Sequence, residues 1–216
     1  MKIIEVKNNR ISDLERSLIV DSLSNDEIVV YPTDTIYGLG VNAFSKEAVK
    51  KVYDLKGRKK GDYFSVMVES IDEIKKYASI GIFEEQFLNK YLPGPVTVIM
   101  KLKPEILQKG MFSKYIVNKN GAVGFRVIKK HGYLNDILHA GGFPIISTSA
   151  NKSGAGIIRS NINFVLKQFE NDLDHISIVI DSGDLGNIQP STIVDLSQTP
   201  YSILRRGVLD VNREDL

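Results

Sequence analysis

Cysteine and tryptophan are absent from this chain of 216 residues, and histidine occurs only three times. Without cysteine there are no disulfides, no thiolate metal sites and no cysteine nucleophile, which fits a reducing compartment. His131, His139 and His175 do not have the spacing of an H-E-x-x-H zinc motif, so we interpret each as a surface or hydrogen-bonded residue. No run approaches the ~20 apolar residues of a membrane span, and the N-terminal apolar stretch is too short for a signal peptide. We therefore expect a cytoplasmic protein without a membrane partner.

Charge of either sign is not in large excess. Lys and Arg number 28 against 26 Asp and Glu, which gives a formal net charge of +2. A near-neutral total is weak support for nucleic-acid binding, because a local basic patch matters more than the sum. One such cluster exists, formed by Lys56, Arg58, Lys59 and Lys60. By itself, a run of like charges is most often a solvated loop.

Short β-like runs alternate with helical patterns, which is typical of an α/β sheet covered by helices. Several late strand candidates follow one another without a helix, so the sheet should be mixed. No linker, repeat or low-complexity tract divides the chain, and we predict a single domain over residues 1–216 with no additional C-terminal domain. Strands are predicted at Ile3–Val6, Ile28–Tyr31, Phe64–Val68, Val96–Leu102, Val123–Ile128, Pro144–Ser147, Ile176–Ile180, Thr192–Leu196 and Ser202–Leu204. Helices are predicted at Ser12–Leu23, Lys46–Leu55, Ile71–Tyr77, Glu84–Tyr91, Leu134–Ala140 and Ile162–Phe169.

Two of these helices have clear start signals. Ser12 and Glu15 have the spacing of a capping box, and Ser45 can cap the second helix. We expect Leu14 and Leu18 to lie on one face of the first helix.

Three polar segments carry the candidate chemistry. The first, Tyr31–Gly40, is a turn-rich run directly after a buried strand. The second, Lys56-Gly57-Arg58, offers two cations across a glycine, and the third, residues Ser147–Asn151, offers hydroxyls and an amide. Cations neutralise polyphosphate, and small neutral donors can line a nucleotide or polar-substrate pocket. Together they indicate a nucleotide-using enzyme.

Glycines in the first segment also match a different kind of site. Gly38-Leu39-Gly40-Val41-Asn42-Ala43 fits the loose G-x-G-x-x-G/A pattern of NAD-dependent oxidoreductases. Against this reading, the glycines stand six residues after the strand, and the next helix starts only at Ser45, too late to receive a pyrophosphate. A turn with positive φ would account for the glycines equally well. No Walker P-loop and no G-x-S-x-G elbow is present.

Charged residues inside polar turns and strands need partners. Asp34 is expected to cap a turn or to help hold a hydrated magnesium ion. Arg126 belongs to a predicted strand and Arg205 directly follows one. An unpaired buried guanidinium costs several kcal/mol, so each must reach an anion or the sheet edge.

The ordered segments YPTDTIYGLG, KGR, PGPVTVIMK, GAVGFRV, STSANKSG, PSTIVDL and ILRRG resemble the YrdC/TsaC family of threonylcarbamoyl-AMP synthases. The resemblance runs from about Ile28 to Gly207. The K-x-R and S-x-N elements are specific together and in this order, although either alone is weak.

The resemblance implies a twisted mixed α/β sheet flanked by helices, with a concave, positively lined cavity. It implies conversion of L-threonine, bicarbonate and ATP, with Mg2+, to threonylcarbamoyl-AMP and pyrophosphate. The product would pass to a separate transferase that modifies the tRNA adenosine next to the anticodon. Carried over by position, Lys56 and Arg58 would be catalytic and would bind ATP together with Asn151, Ser191 and Arg205. Thr35, Arg126 and Ser149 would bind threonine, and no side chain is assigned as a metal ligand.

The sequence departs from the family pattern at four single positions, and the Pro-Thr usual after the S-x-N turn is not seen near Ile158-Arg159-Ser160. Lys59, Ile128 and Arg206 stand where proline is common, and Met67 stands where longer members often carry histidine. These changes bear on the threonine contacts more than on the reaction type. Asn151 is retained, which favours the synthase over a paralogous branch that tends to lose it. The non-enzyme alternative is a module that binds tRNA or double-stranded RNA by shape and phosphate contacts.

Overall fold

A computed structural model describes residues 1–59, 61–129, 132–154, 161–186, 189–212 and 214. Lys60 of the basic cluster, His131 and residues 158–160 lie outside these residues. Within them the strands are β1 (Lys2–Glu5), β2 (Ile28–Tyr31), β3 (Gly38–Gly40), β4 (Ser65–Met67), β5 (Val96–Lys101), β6 (Ala122–Arg126), β7 (Ile145–Ser149), β8 (Ile176–Asp181), β9 (Thr192–Asp195) and β10 (Ser202–Arg205). The helices are α1 (Asp13–Ser24), α2 (Lys46–Leu55), α3 (Ile71–Tyr77), α4 (Ile82–Tyr91), α5 (Pro104–Lys109), α6 (Gly132–Gly141) and α7 (Ile162–Gln168), with a short 3-10 helix at Leu173–His175.

The strands form one mixed sheet, in the order β1-β8-β2-β3-β7-β4-β6-β5-β9-β10. Parallel pairs such as β1 with β8 and β5 with β9 alternate with antiparallel pairs such as β2 with β3 and β5 with β6. The predicted mixed α/β sheet is confirmed. Every predicted strand and helix is present, with its ends within two residues of the prediction.

Apolar side chains cover both faces of the sheet. In β2, Ile28 and Val30 belong to a large core that includes residues of α2 and α4, whereas Val29 and Tyr31 belong to a smaller core under α1 and α6. This division follows from the alternation of side chains along a strand. Burial on both sides explains why β2 reads as a continuous apolar run.

Side-chain caps begin α1 and α2 as predicted. Ser12 and Glu15 form the capping box, and Ser45 Oγ accepts from the Ala48 amide at 3.1 Å. Of the two leucines predicted on one face of α1, Leu18 packs against the core that holds Ile19 and Leu23, whereas Leu14 is 81% exposed. Leu14 lies in the first turn of the helix, ahead of the part that packs on α6.

Gly38 and Gly40 form strand β3, not a phosphate-binding loop. Both lack the positive φ that a turn would require. Instead, a Cβ on Gly40 would lie 2.7 Å from the Tyr31 Cε1 atom and 2.8 Å from Ile145 Cγ2. The glycines are therefore needed for close approach of the Tyr31 ring, whose hydroxyl donates to the Ile146 carbonyl at 2.7 Å. This geometry removes the basis for the dinucleotide motif.

Candidate active site

A cavity of about 200 Å³ opens on one face of the sheet, where β3, β7, β4, β6, β5 and β9 lie side by side. In β5, alternate side chains line it: Thr97 and Ile99 face the cavity, whereas Val96 and Val98 belong to the larger core behind the sheet. From β7, three consecutive polar residues, Ser147–Ser149, contribute to the lining.

Arg58 enters the cavity from the turn after α2. Gly57, which precedes it, has a φ of +60°, in the left-handed region that favours glycine. The Arg58 guanidinium donates to the Tyr63 carbonyl at 2.8 Å and to Thr148 Oγ1 at 2.9 Å, and it lies 4.5 Å from the centroid of the Phe64 ring. Burial lowers its pKa, and its buried Nε has no hydrogen-bond partner. The Arg58 side chain is thus held in place by the two hydrogen bonds and the ring contact.

Arg126 enters from the end of β6. Its Nη2 donates to Asp34 Oδ1 at 2.5 Å, and longer contacts of 3.5 Å and 3.4 Å reach Thr35 Oγ1 and Ser147 Oγ. The side chains of Arg126 and Asp34 are each 7% exposed. The prediction that Arg126 must find an anion is confirmed, since its partner is Asp34.

The expectation that Asp34 caps the turn after β2 is wrong. Thr33 performs that role: its Oγ1 accepts from the Thr35 amide at 3.1 Å and donates to the Ile36 carbonyl at 2.7 Å. The Thr33 and Thr35 hydroxyls are 2.9 Å apart, and both residues line the cavity. The Asp34 carboxylate is therefore not needed for the turn and accepts a hydrogen bond from Arg126.

Arg205, the last residue of β10, also lines the cavity, although the residue as a whole is exposed. Its Nε and Nη2 donate to the Ser191 carbonyl at 3.1 Å and 2.8 Å, and Nη2 also reaches Ser191 Oγ at 3.2 Å. The Ser191 hydroxyl lies 2.9 Å from Thr97 Oγ1. Burial, followed by the charge of Arg126, lowers the pKa of Arg205.

Lys56 lies beside the cavity and is only 2% exposed. Its Nζ donates to the Ser149 carbonyl and, at 2.6 Å, to the Asn151 carbonyl. In return, the Ser153 amide donates to the Lys56 carbonyl at 2.9 Å. Burial, with a smaller contribution from Arg58, lowers the pKa of the Lys56 ammonium to about 7. These hydrogen bonds connect the K-x-R turn (Lys56–Arg58) to the S-x-N segment (Ser149–Asn151).

Six of the predicted site residues line the cavity: Thr35, Arg58, Arg126, Ser149, Ser191 and Arg205. Lys56 and Asn151 are buried next to it and do not line it; the Asn151 Nδ2 donates to the Lys152 carbonyl at 2.8 Å, and its buried Oδ1 has no partner. That these two contact ATP directly stays a prediction. Sequence reasoning missed Thr33, Thr97 and Asn118 as lining residues, although a threonine between valines in PGPVTVIMK marks a polar strand face.

The four departures from the family pattern fall away from the lining of the cavity. Met67 and Ile128 are buried in the smaller core. Lys59 is exposed, and Arg206 pairs with Asp210 at 2.9 Å on the surface.

The donors offered by the cavity suit an anionic, hydroxyl-bearing ligand. Three guanidinium groups and a set of hydroxyls line it, with no carboxylate among the described lining residues. Across the ranges that the structure describes, no group of three or more histidine or acidic side chains could hold a metal ion. None of the helices so described is long and apolar enough to cross a membrane.

The family model for Sua5, YciO and YrdC proteins, described as "Telomere recombination", matches residues 21–207. The chain belongs to this family. A Methanocaldococcus jannaschii protein provisionally named threonylcarbamoyl-AMP synthase is 31% identical over 212 residues, which cover 96% of this chain and 95% of that protein. The Bos taurus threonylcarbamoyl-AMP synthase is 32% identical over 195 residues, which cover 87% of this chain and 66% of the relative.

Solved structures agree on the fold. P. abyssi Sua5 complexed with L-threonine superimposes with a TM-score of 0.84 at 26% identity, over 96% of this chain and 58% of that one. E. coli YciO superimposes equally well, with a TM-score of 0.84, but at 23% identity it supports the fold alone. The chain thus spans little more than half the length of the Sua5 protein that it matches.

Proposed function

We propose that this protein is a threonylcarbamoyl-AMP synthase, a nucleotidyltransferase acting on L-threonine, bicarbonate and ATP. The observation that carries the proposal is the convergence of Arg58, Arg126 and Arg205 on one hydroxyl-lined cavity. Two further findings support it: the synthase names of several relatives, and the bound L-threonine of the similar Sua5 structure.

The reaction asks for positioning and charge stabilisation more than for a strong base. Threonine and bicarbonate combine with loss of water to give the N-carboxylate. One of its oxygens then attacks the α-phosphorus of ATP, the bond to the bridging oxygen breaks, and pyrophosphate leaves with the charge. Fixed cations that face the phosphates lower the energy of such a transition state. A cavity with arginines and without cysteine or histidine has the groups that this chemistry needs.

The residues divide between the two substrates. Thr35, Ser149 and Arg126 would bind threonine and its carboxylate. Arg58, Ser191 and Arg205 would face the nucleotide and the departing pyrophosphate. Lys56 and Asn151 would contribute to nucleotide binding through the Ser149–Asn151 segment, whose carbonyls accept hydrogen bonds from the Lys56 ammonium.

Magnesium would enter as the counter-ion of ATP. The lining offers cations and hydroxyls in place of carboxylates, so the triphosphate itself would supply most ligands of the ion. Its role would be to neutralise charge on the phosphates.

The product would be consumed by a transferase that carries the threonylcarbamoyl group to tRNA. A mixed anhydride of carbamate and phosphate is reactive towards water, which favours prompt transfer to the acceptor. Direct binding of tRNA and a cytoplasmic location stay predictions. The RNA-binding module without synthase activity is the alternative.

The test is incubation of the protein with MgATP, bicarbonate and radiolabelled L-threonine, followed by separation of threonylcarbamoyl-AMP. Adjacent residues supply matched controls. Arg58→Ala and Arg205→Ala should slow turnover about ten- to a hundredfold, because a charge-assisted hydrogen bond is worth roughly 1.5–3 kcal/mol. Lys59→Ala and Arg206→Ala change exposed side chains and should leave turnover unaltered. Absence of a threonine-dependent product from the wild type would refute the proposal.

A further inference from the structure

The ion pair between Arg126 and Asp34 has a one-sided geometry. Arg126 lines the cavity, and so do Thr33 and Thr35 on either side of Asp34, but Asp34 itself does not. The carboxylate therefore contacts the guanidinium from outside the cavity. It holds Nη2 at 2.5 Å, where Thr35 Oγ1 is a second, longer neighbour at 3.5 Å.

The other donors of Arg126 remain poorly used. Its Nε is buried and has no hydrogen-bond partner, and Nη1 makes one long contact, 3.4 Å, with Ser147 Oγ. Asp34 Oδ2 is likewise buried and unpaired. A buried polar atom without a partner is destabilising, so this arrangement lowers the stability of the folded protein. A carboxylate is a strong acceptor for a guanidinium, and Nη1, with its single long contact, has donor capacity left for one.

Electrostatics supply a second reason for the carboxylate. Arg58, Arg126 and Arg205 share one small cavity, and the charge of Arg126 lowers the pKa of Arg205. Asp34 gives Arg126 a counter-charge that leaves the cavity side of the guanidinium open. A substrate anion can then bind without first displacing a protein carboxylate.

We propose that Asp34 is a positioning residue, which fixes the Arg126 guanidinium so that its remaining donors face the carboxylate of the amino-acid substrate. This inference rests on the proposed function and goes beyond it by naming a residue that acts on threonine through Arg126. Charge and position have opposite effects here. Loss of the negative charge alone strengthens the field felt by an anion, whereas loss of the acceptor frees the guanidinium to move.

The experiment is a double-mutant cycle, with kcat and the KM for L-threonine and for ATP measured separately. Asp34→Ala should raise the KM for threonine about ten- to a hundredfold and the KM for ATP by less than threefold. Asp34→Asn keeps an acceptor for Nη2 and should return the threonine KM to within threefold of the wild type or below it. In an Arg126→Gln background, Asp34→Ala should change the threonine KM by less than twofold. Asp54→Ala, which removes an exposed carboxylate paired with Lys50, is the control and should leave both constants unchanged.

Each other outcome overturns the inference. A threonine KM raised by the same factor in both backgrounds would show that Asp34 does not act through Arg126. An effect of Asp34→Asn as large as that of Asp34→Ala would show that the acceptor is not what matters.

Calorimetric titration with L-threonine separates this inference from the proposed function. If the wild type binds threonine without making product, the synthase proposal is refuted. The double-mutant cycle is then measured from the Kd for threonine in place of the KM. A wild type that binds no threonine refutes both.

Discussion

Substitution of Lys56 by methionine should change how stability depends on pH. Methionine has nearly the length of lysine and carries no charge. Burial, and to a lesser degree Arg58, lowers the pKa of Lys56 from 10.5 to about 7. Between these two values the unfolded chain binds a proton that the folded protein does not. The free energy of unfolding of the wild type therefore rises with pH across this window, by up to about 1.4 kcal/mol per pH unit.

The magnitude follows from the two pKa values. Between pH 7 and pH 9, the wild type should gain about 2 kcal/mol relative to Lys56→Met, because at pH 7 the folded lysine is still partly protonated. A constant difference is superimposed on this change. The carbonyls of Ser149 and Asn151 lose their donor in the variant, at a cost of about 1–3 kcal/mol each.

Urea unfolding at pH 7, 8 and 9 measures both effects, with Lys51→Met as an exposed control from the same helix. The free energy of unfolding of the wild type minus that of Lys56→Met should increase with pH. The corresponding difference for Lys51→Met should stay constant. Two curves that remain parallel to within about 0.5 kcal/mol would refute a lysine with a lowered pKa at this position.

Three further predictions concern packing and specificity. Gly40→Ala should lower the free energy of unfolding by about 1–3 kcal/mol, because its Cβ would overlap Tyr31 and Ile145, whereas Gly132→Ala, with no atom within 4 Å of the new Cβ, should be nearly neutral by the same urea assay. L-threonine should be preferred over 2-aminobutyrate, with serine intermediate, since a site that hydrogen-bonds a hydroxyl rejects an analogue without it; equal rates of pyrophosphate release would contradict this. Calorimetric titration with NAD should give no micromolar complex, because Gly38 belongs to a strand; stoichiometric binding would restore the dehydrogenase reading.

Local signals predicted most of the fold. Ser12 with Glu15, and Ser45 before an apolar face, placed the starts of α1 and α2 because a cap is a contact between residues three apart. Three short elements of the described chain were not predicted: β3, α5 and the 3-10 helix at Leu173–His175. Helix α5 has six residues and no side-chain cap, and β3 is a three-residue strand with two glycines.

The candidate site was predictable as a set of segments and not as a set of contacts. Arg58 and Thr148 are 90 residues apart, and Lys56 and Asn151 are 95 apart, so no local pattern indicates that they touch. The family resemblance assigned Lys56 to ATP by its position in the K-x-R segment. In the structure, the Lys56 ammonium points to the carbonyls at the end of β7. The position of those carbonyls is set only when the sheet is assembled.

The alternation of Thr97 and Ile99 with Val96 and Val98 has a consequence for how the gene can change. Insertion or deletion of a single codon within β5 would turn the valines towards the substrate and the threonine towards the apolar core. One such event would disturb both the lining of the cavity and the packing of the core. In β5, replacement of one residue by another preserves the alternation, whereas a change of length reverses it beyond the altered position.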